Sequence, residues 1–110
     1  MNTTPPVQIQ AQHCETMTEV RGHIDALDTR IVSLLVERTG YMTQAARIKG
    51  DVNKVHDQAR IDFIVARVRH MAQEQGGQPD VLEAAYRALI DASIAYEHRE
   101  FARQHQGEFA

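Results

Sequence analysis

The stretch from Thr16 to Lys49, TMTEVRGHIDALDTRIVSLLVERTGYMTQAARIK, contains no proline. Its apolar residues recur at three- and four-residue spacing: Val20, Ile24, Leu27, Ile31, Leu34, then Tyr41, Ala45 and Ile48. That period predicts a helix. Thr16 followed by Glu19 makes a capping-box start, and Gly50 directly after Lys49 marks a stop. Unbroken, the segment is a rod of about 50 Å. A compact chain of this length has a radius of gyration near ~13 Å. It cannot cover such a rod by itself and needs a partner, most simply a second copy. Gly40 costs about 1 kcal/mol relative to alanine inside a helix. The stripe resumes on the same face beyond it, so the spacing predicts one helix and not two.

The next step of the stripe after Leu34 falls on Arg38, where the pattern asks for leucine. A buried guanidinium is costly unless paired. Lys49 follows eleven residues later, about 16 Å along the axis and within ~20° of the same face. Two long cationic side chains can converge on an anion over that span. Arg21 is roughly 25 Å before Arg38 and about 100° round the helix. It cannot reach the same small ligand from the same helix, but an antiparallel partner could deliver it.

The remainder predicts two shorter helices. After the polar segment DVNKVHD, Asp57 is placed to cap QARIDFIVARVRHMAQEQG, which carries Ile61, Ile64, Val65, Val68 and Met71 on its inner side. Gly76, Gly77 and Pro79 end it and turn the chain, and Asp80 with Glu83 has capping-box spacing. In the third helix Leu82, Tyr86, Leu89, Ile90, Ile94 and Phe101 are expected to face inward. Ser93 and Glu97 interrupt that stripe at helical spacing. Two readings fit them: a polar pocket shared with Arg38 and Lys49, or an internal ion pair between Glu97 and Arg38. The expectation is an all-α fold, with a flexible tail over 1–15, a single helical domain over 16–106 and a frayed end over 107–110.

A formal charge of -3 without aromatic–basic interleaving argues against nucleic-acid binding. There is no run of eighteen apolar residues for a membrane span. Cys14 is the single cysteine, which excludes an internal disulfide and a thiolate cluster. Six histidines include no HExxH and no i,i+4 pair, so no metal site is expected. His56 reads as a solvated loop residue, Tyr41, Tyr86 and Tyr96 as packing residues, and Arg67, Arg69, Arg99 and Arg103 as solvated faces. A cytoplasmic location is expected.

The order VRGHIDALDTRIVSLLVER, YMTQAARIK, VHDQARI, then Ser93 and Glu97, resembles the all-helical chorismate mutases and their relatives, the isochorismate-pyruvate lyases of salicylate formation. The resemblance spans about residues 17 to 104. It implies an intertwined homodimer with antiparallel long first helices, two equivalent sites and no cofactor. It further implies that Arg21 comes from the partner subunit to a substrate carboxylate, and that Arg38 clamps the other carboxylate. Lys49 would reach the ether oxygen and a nearby carboxylate. Asp57 would meet the ring hydroxyl, and Arg60 would stand near the site mouth. Ser93 would lie near a carboxylate, with Glu97 as the second group on the ether oxygen.

Two positions depart from the family pattern. Ile61 stands where many mutases have a glutamate, and apolar residues there are familiar in the lyases. Glu97 replaces the usual glutamine. Against the lyases, Asp57 is an acid and Ser93 is small. The resemblance therefore implies rearrangement of chorismate to prephenate, serving aromatic amino acid biosynthesis, with isochorismate cleavage as the alternative. A non-catalytic helical dimer is the competing class. Such a module would have no reason to place Arg38, Lys49 and Glu97 on inward stripes.

Overall fold

The computed structural model of the chain describes residues 8–106. The beginning of the expected tail, residues 1–7, and the expected frayed end at 107–110 lie outside the described residues. Three α-helices carry the fold: α1 (Met17–Ile48), α2 (Gln58–Glu74) and α3 (Pro79–Gln104), with a short 3-10 turn at Val52–Lys54 before α2. No strand is present among the described residues.

Each helix begins where side-chain or ring chemistry allows. Thr16 accepts from the backbone N–H of Glu19, while the Glu19 carboxylate returns to the N–H of Glu15. Asp57 caps α2 by accepting from Arg60 N. Asp80 does not cap α3. Gln78 holds the cap position without a side-chain bond, and Pro79 occupies the first turn, where its missing N–H leaves nothing unsatisfied. The Asp80 carboxylate turns instead to Arg69 of α2. At the far end of α1 the helix stops at Ile48 with Lys49 extended, and Gly50 has no left-handed conformation to provide. The glycine with positive φ is Gly76, at +76° in the α2–α3 turn.

The helices meet unevenly. α3 packs against both α1 and α2. It crosses the second half of α1, fixed by a hydrogen bond between Thr43 Oγ1 and Tyr96 OH at 2.7 Å and by Gln104 Nε2 donating to the Thr43 carbonyl at 3.2 Å. Ala46, Val55 and Phe101 form a small core there, with Ile94 against it. Ala46 is the buried alanine of this half, whereas Tyr41 and Ile48, expected inside, are exposed. The stripe was expected to need cover from a second copy, whereas Ala46 packs with Val55 and Phe101 of its own chain.

The first half of α1 has almost no cover. Ile24, Leu27, Ile31 and Leu34 are each about half exposed or more. A radius of gyration of 18.2 Å and extents of 62 × 41 × 24 Å far exceed the ~13 Å of a compact chain of this size. The apolar rod foreseen from the sequence therefore projects from a modest three-helix cluster.

Arg69 and Arg103 do more than face solvent. Arg69 bridges α2 to α3 through Asp80 and Glu83, both at 2.8 Å. Arg87 holds the other oxygen of Glu83 at 2.7 Å. The hydrogen bonds from Arg87 and then Arg69 keep the Glu83 carboxyl below its ordinary range. Arg103 clasps the mostly buried Glu100 carboxylate and lowers its pKa through that hydrogen bond.

Candidate active site

A cavity of about 330 Å³ opens where the second half of α1, the loop, α2 and α3 converge. α1 contributes Arg38, Met42, Ala45 and Lys49, spaced four, three and four residues apart. They therefore form one continuous helical face. α3 supplies Ile90, Ser93, Ile94 and Glu97 in the same manner. Asp57, Arg60, Ile61 and Ile64 come from the start of α2, and Val55 from the loop before it. Six of the seven residues singled out from the sequence thus share one cavity: Arg38, Lys49, Asp57, Arg60, Ser93 and Glu97. The seventh, Arg21, is exposed on the first half of α1 and does not line it.

Two polar contacts give the cavity its character. Arg38 Nη1 donates to Ser93 Oγ at 3.0 Å. Lys49 Nζ stands 2.9 Å from Glu97 Oε1, with the Glu97 side chain almost wholly buried. Glu97 therefore pairs with Lys49, and the alternative pairing with Arg38 is not found. The ammonium approaches off the hydrogen-bonding axis, so Oε1 has an ionic contact but no aligned donor. A buried carboxylate oxygen in that condition retains capacity for a directional partner.

Around these groups the walls are apolar. Ile61, Ile64, Ile90 and Ile94 border the cavity, and charge interactions strengthen when water is thinned out. Asp57 is held in place by its cap to α2. Arg60 lies over the Phe63 ring at 5.2 Å from its centroid, an arrangement that restrains a long cationic side chain. His56 contacts Gln58 across 3.1 Å at the loop, beside a shallower opening that includes Lys49, Lys54 and Asp57.

Val55 and Met42 belong to the site although neither was a candidate from the sequence. Val55 is 3 % exposed, the one strongly buried side chain of a segment whose composition reads as a polar loop. Its signal was an apolar residue placed between Lys54 and His56. Met42 carried no signal beyond lying one helical turn from Arg38.

The arrangement offers fixed cations for a small anion with two charged ends, a paired ammonium and carboxyl for a polar atom between them, and an apolar wall for a ring. No group of His, Cys, Asp or Glu suited to holding a metal occurs among the described residues. No helix among them is long and apolar enough to cross a membrane.

Comparison with known proteins identifies the class. The family described as chorismate mutase type II matches residues 20–98, which takes in all of α2, most of α1 and α3 and all seven candidate residues. The chain belongs to this all-helical chorismate mutase family, which also includes isochorismate-pyruvate lyases. It is 27 % identical over 82 residues to a chorismate mutase of Methanocaldococcus jannaschii, covering 74 % of this chain and 83 % of that protein.

Proposed function

We propose that the protein rearranges chorismate to prephenate. The observation that carries this reading is the buried contact of Lys49 and Glu97 in the same cavity as Arg38 and Ser93. Chorismate has two carboxylates and an enol-pyruvyl ether. Its rearrangement is intramolecular: the C–O bond of the ether breaks as a C–C bond forms, with no nucleophile consumed. The site has two tasks, to hold ring and side chain in the reactive pose and to stabilise charge building on the ether oxygen.

Arginine suits the first task because its planar fork matches a carboxylate. Arg38 receives one carboxylate, with Ser93 beside it, and Arg60 guards the mouth. Asp57 faces the ring hydroxyl. Lys49 supplies fixed positive charge to the ether oxygen. Glu97 can assist there only with a proton on its carboxyl, because a carboxylate directed at that oxygen would repel the developing charge. Lys49 and Glu97 lie 2.9 Å apart, so one ether oxygen can engage both groups.

Arg21 completes the site from a second subunit. This part of the reading rests on the uncovered apolar stripe of α1 and on a second cavity of about 450 Å³ that shares Arg38, Arg60 and Ile64 with the first. Its far wall is Val68, Met71, Leu82 and Tyr86. An apolar helix from a partner could enter there and bring an arginine alongside Arg38.

Ile61 supports a second reading, cleavage of isochorismate to salicylate and pyruvate, because an apolar wall replaces an acid at the ring. Asp57 and the small Ser93 favour the mutase. The test is an assay with each substrate, following prephenate and salicylate separately. Prephenate from chorismate is expected as the faster reaction. Efficient salicylate release from isochorismate, with chorismate turned over far more slowly, would reverse the assignment.

A further inference from the structure

The segment Gln8–Glu15 precedes α1 and belongs to no helix, yet it is fastened at both ends. Ile9 N–H donates to the Gln75 carbonyl at 3.1 Å, and Gln8 Nε2 donates to the Glu74 carbonyl at 2.9 Å. Both acceptors lie at the end of α2. At the other end the backbone of Glu15 joins the cap of α1 through Glu19. The segment therefore bridges the open space between the start of α1 and the α2–α3 turn. Gly76 fits this junction: its φ of +76° suits glycine, and a Cβ there would fall 2.2 Å from Gln8 Oε1.

What lies beneath the bridge is apolar and uncovered. On one side, residues 10–14 and the α1 residues Val20, Ile24 and Leu27 border a cavity of about 630 Å³. On the other, Ile9 joins Val68, Met71 and Leu82 in the cavity that shares Arg38 and Arg60 with the candidate active site. Ile9 itself is 65 % exposed although its backbone is bonded. Covering that isoleucine with another apolar surface would be favourable.

We infer that residues 8–15 form a strap that closes over the first helix of a second copy of this chain and retains it. The occupant follows from the walls. Both sides present aliphatic residues, the space runs alongside α1, and the matching uncovered surface is the stripe Ile24, Leu27, Ile31, Leu34 of an identical chain. The inference rests on the proposed dimer and adds to it a latch outside the catalytic groups. Release of its bonds to Glu74 and Gln75 opens the strap and frees the partner helix, so it governs how readily subunits exchange.

Subunit exchange between donor- and acceptor-labelled protein tests this, using the full chain, a variant lacking residues 1–10, and I9D. Circular dichroism confirms that the variants keep their helix content. Exchange is expected to accelerate on the order of tenfold or more in both variants, because the deletion removes the hydrogen bonds of Gln8 and Ile9 and the apolar contact of Ile9, and I9D removes that contact alone. The dissociation constant should rise in parallel. A wild-type dimer whose exchange rate is unchanged by either variant overturns the strap alone. A monomeric wild-type protein in sedimentation overturns the strap together with the dimer on which it depends.

Discussion

At the scale of single residues, Glu97 is where the chemistry of this chain is most exposed to test. Glutamine at that position would donate a hydrogen bond at any pH, whereas a glutamate donates only when protonated. The 2.9 Å contact with Lys49 places both groups where one ligand oxygen can meet them. If Glu97 serves the ether oxygen, E97Q, which keeps a donor there, should retain or raise kcat/KM. E97A should lose about 10²-fold, the scale of removing one preorganised donor. Equal kcat/KM in wild type, E97Q and E97A would assign Glu97 a purely structural role. That Arg38, Lys49, Ser93 and Glu97 line one cavity was partly legible, because they interrupt apolar stripes at helical spacing, although that spacing fitted an internal ion pair as well as a polar pocket. Which cation takes Glu97 was not readable. Spacing fixes a face and a height, but the choice of Lys49 over Arg38 depends on the crossing of α1 and α3.

At the scale of elements, helix existence and extent followed from period and caps, as with Thr16 before α1 and Asp57 before α2. The errors arise where elements touch. Asp80 had the spacing of a cap, but Pro79 starts the helix and Arg69 draws the carboxylate across to α2. Tyr41 and Ile48 fitted a periodic stripe but are exposed in the single chain, whereas Ala46 is buried with Val55 and Phe101. The strap left no trace in periodicity, since one of its attachments is a backbone bond and the other ends on a backbone carbonyl. The α2–α3 pairing has its own prediction. Glu83 is held below its ordinary range by Arg87 and Arg69, so its folded-state pKa is below its unfolded value. Its stabilising contribution is therefore present above the unfolded value, near ~4.3, and is lost as pH falls through the lower folded value. Urea unfolding should show wild type losing stability on acidification below about pH 4. E83Q should be less stable at neutral pH and show a shallower acid loss. Equal acid slopes in the two proteins would mean that this network contributes nothing measurable.

At the scale of the whole molecule, the described chain does not close on itself. A helix of 32 residues projects from its own cluster with its apolar stripe uncovered, and the radius of gyration is 18.2 Å. The site is similarly open, with six candidate groups gathered and Arg21 some 25 Å away along the helix by its rise. Both features fit the proposed dimer, in which two chains would lay their first helices antiparallel and each would lend Arg21 to the other's cavity. Mixing R21A and R38A subunits tests this most directly. Each homodimer should be nearly inactive. After exchange, a heterodimer carries both substitutions in one site and neither in the other, so activity should return towards half the wild-type value per heterodimer. If exchange is verified by labelling and activity does not return, Arg21 and Arg38 serve the same chain's site, and the shared-site account is contradicted.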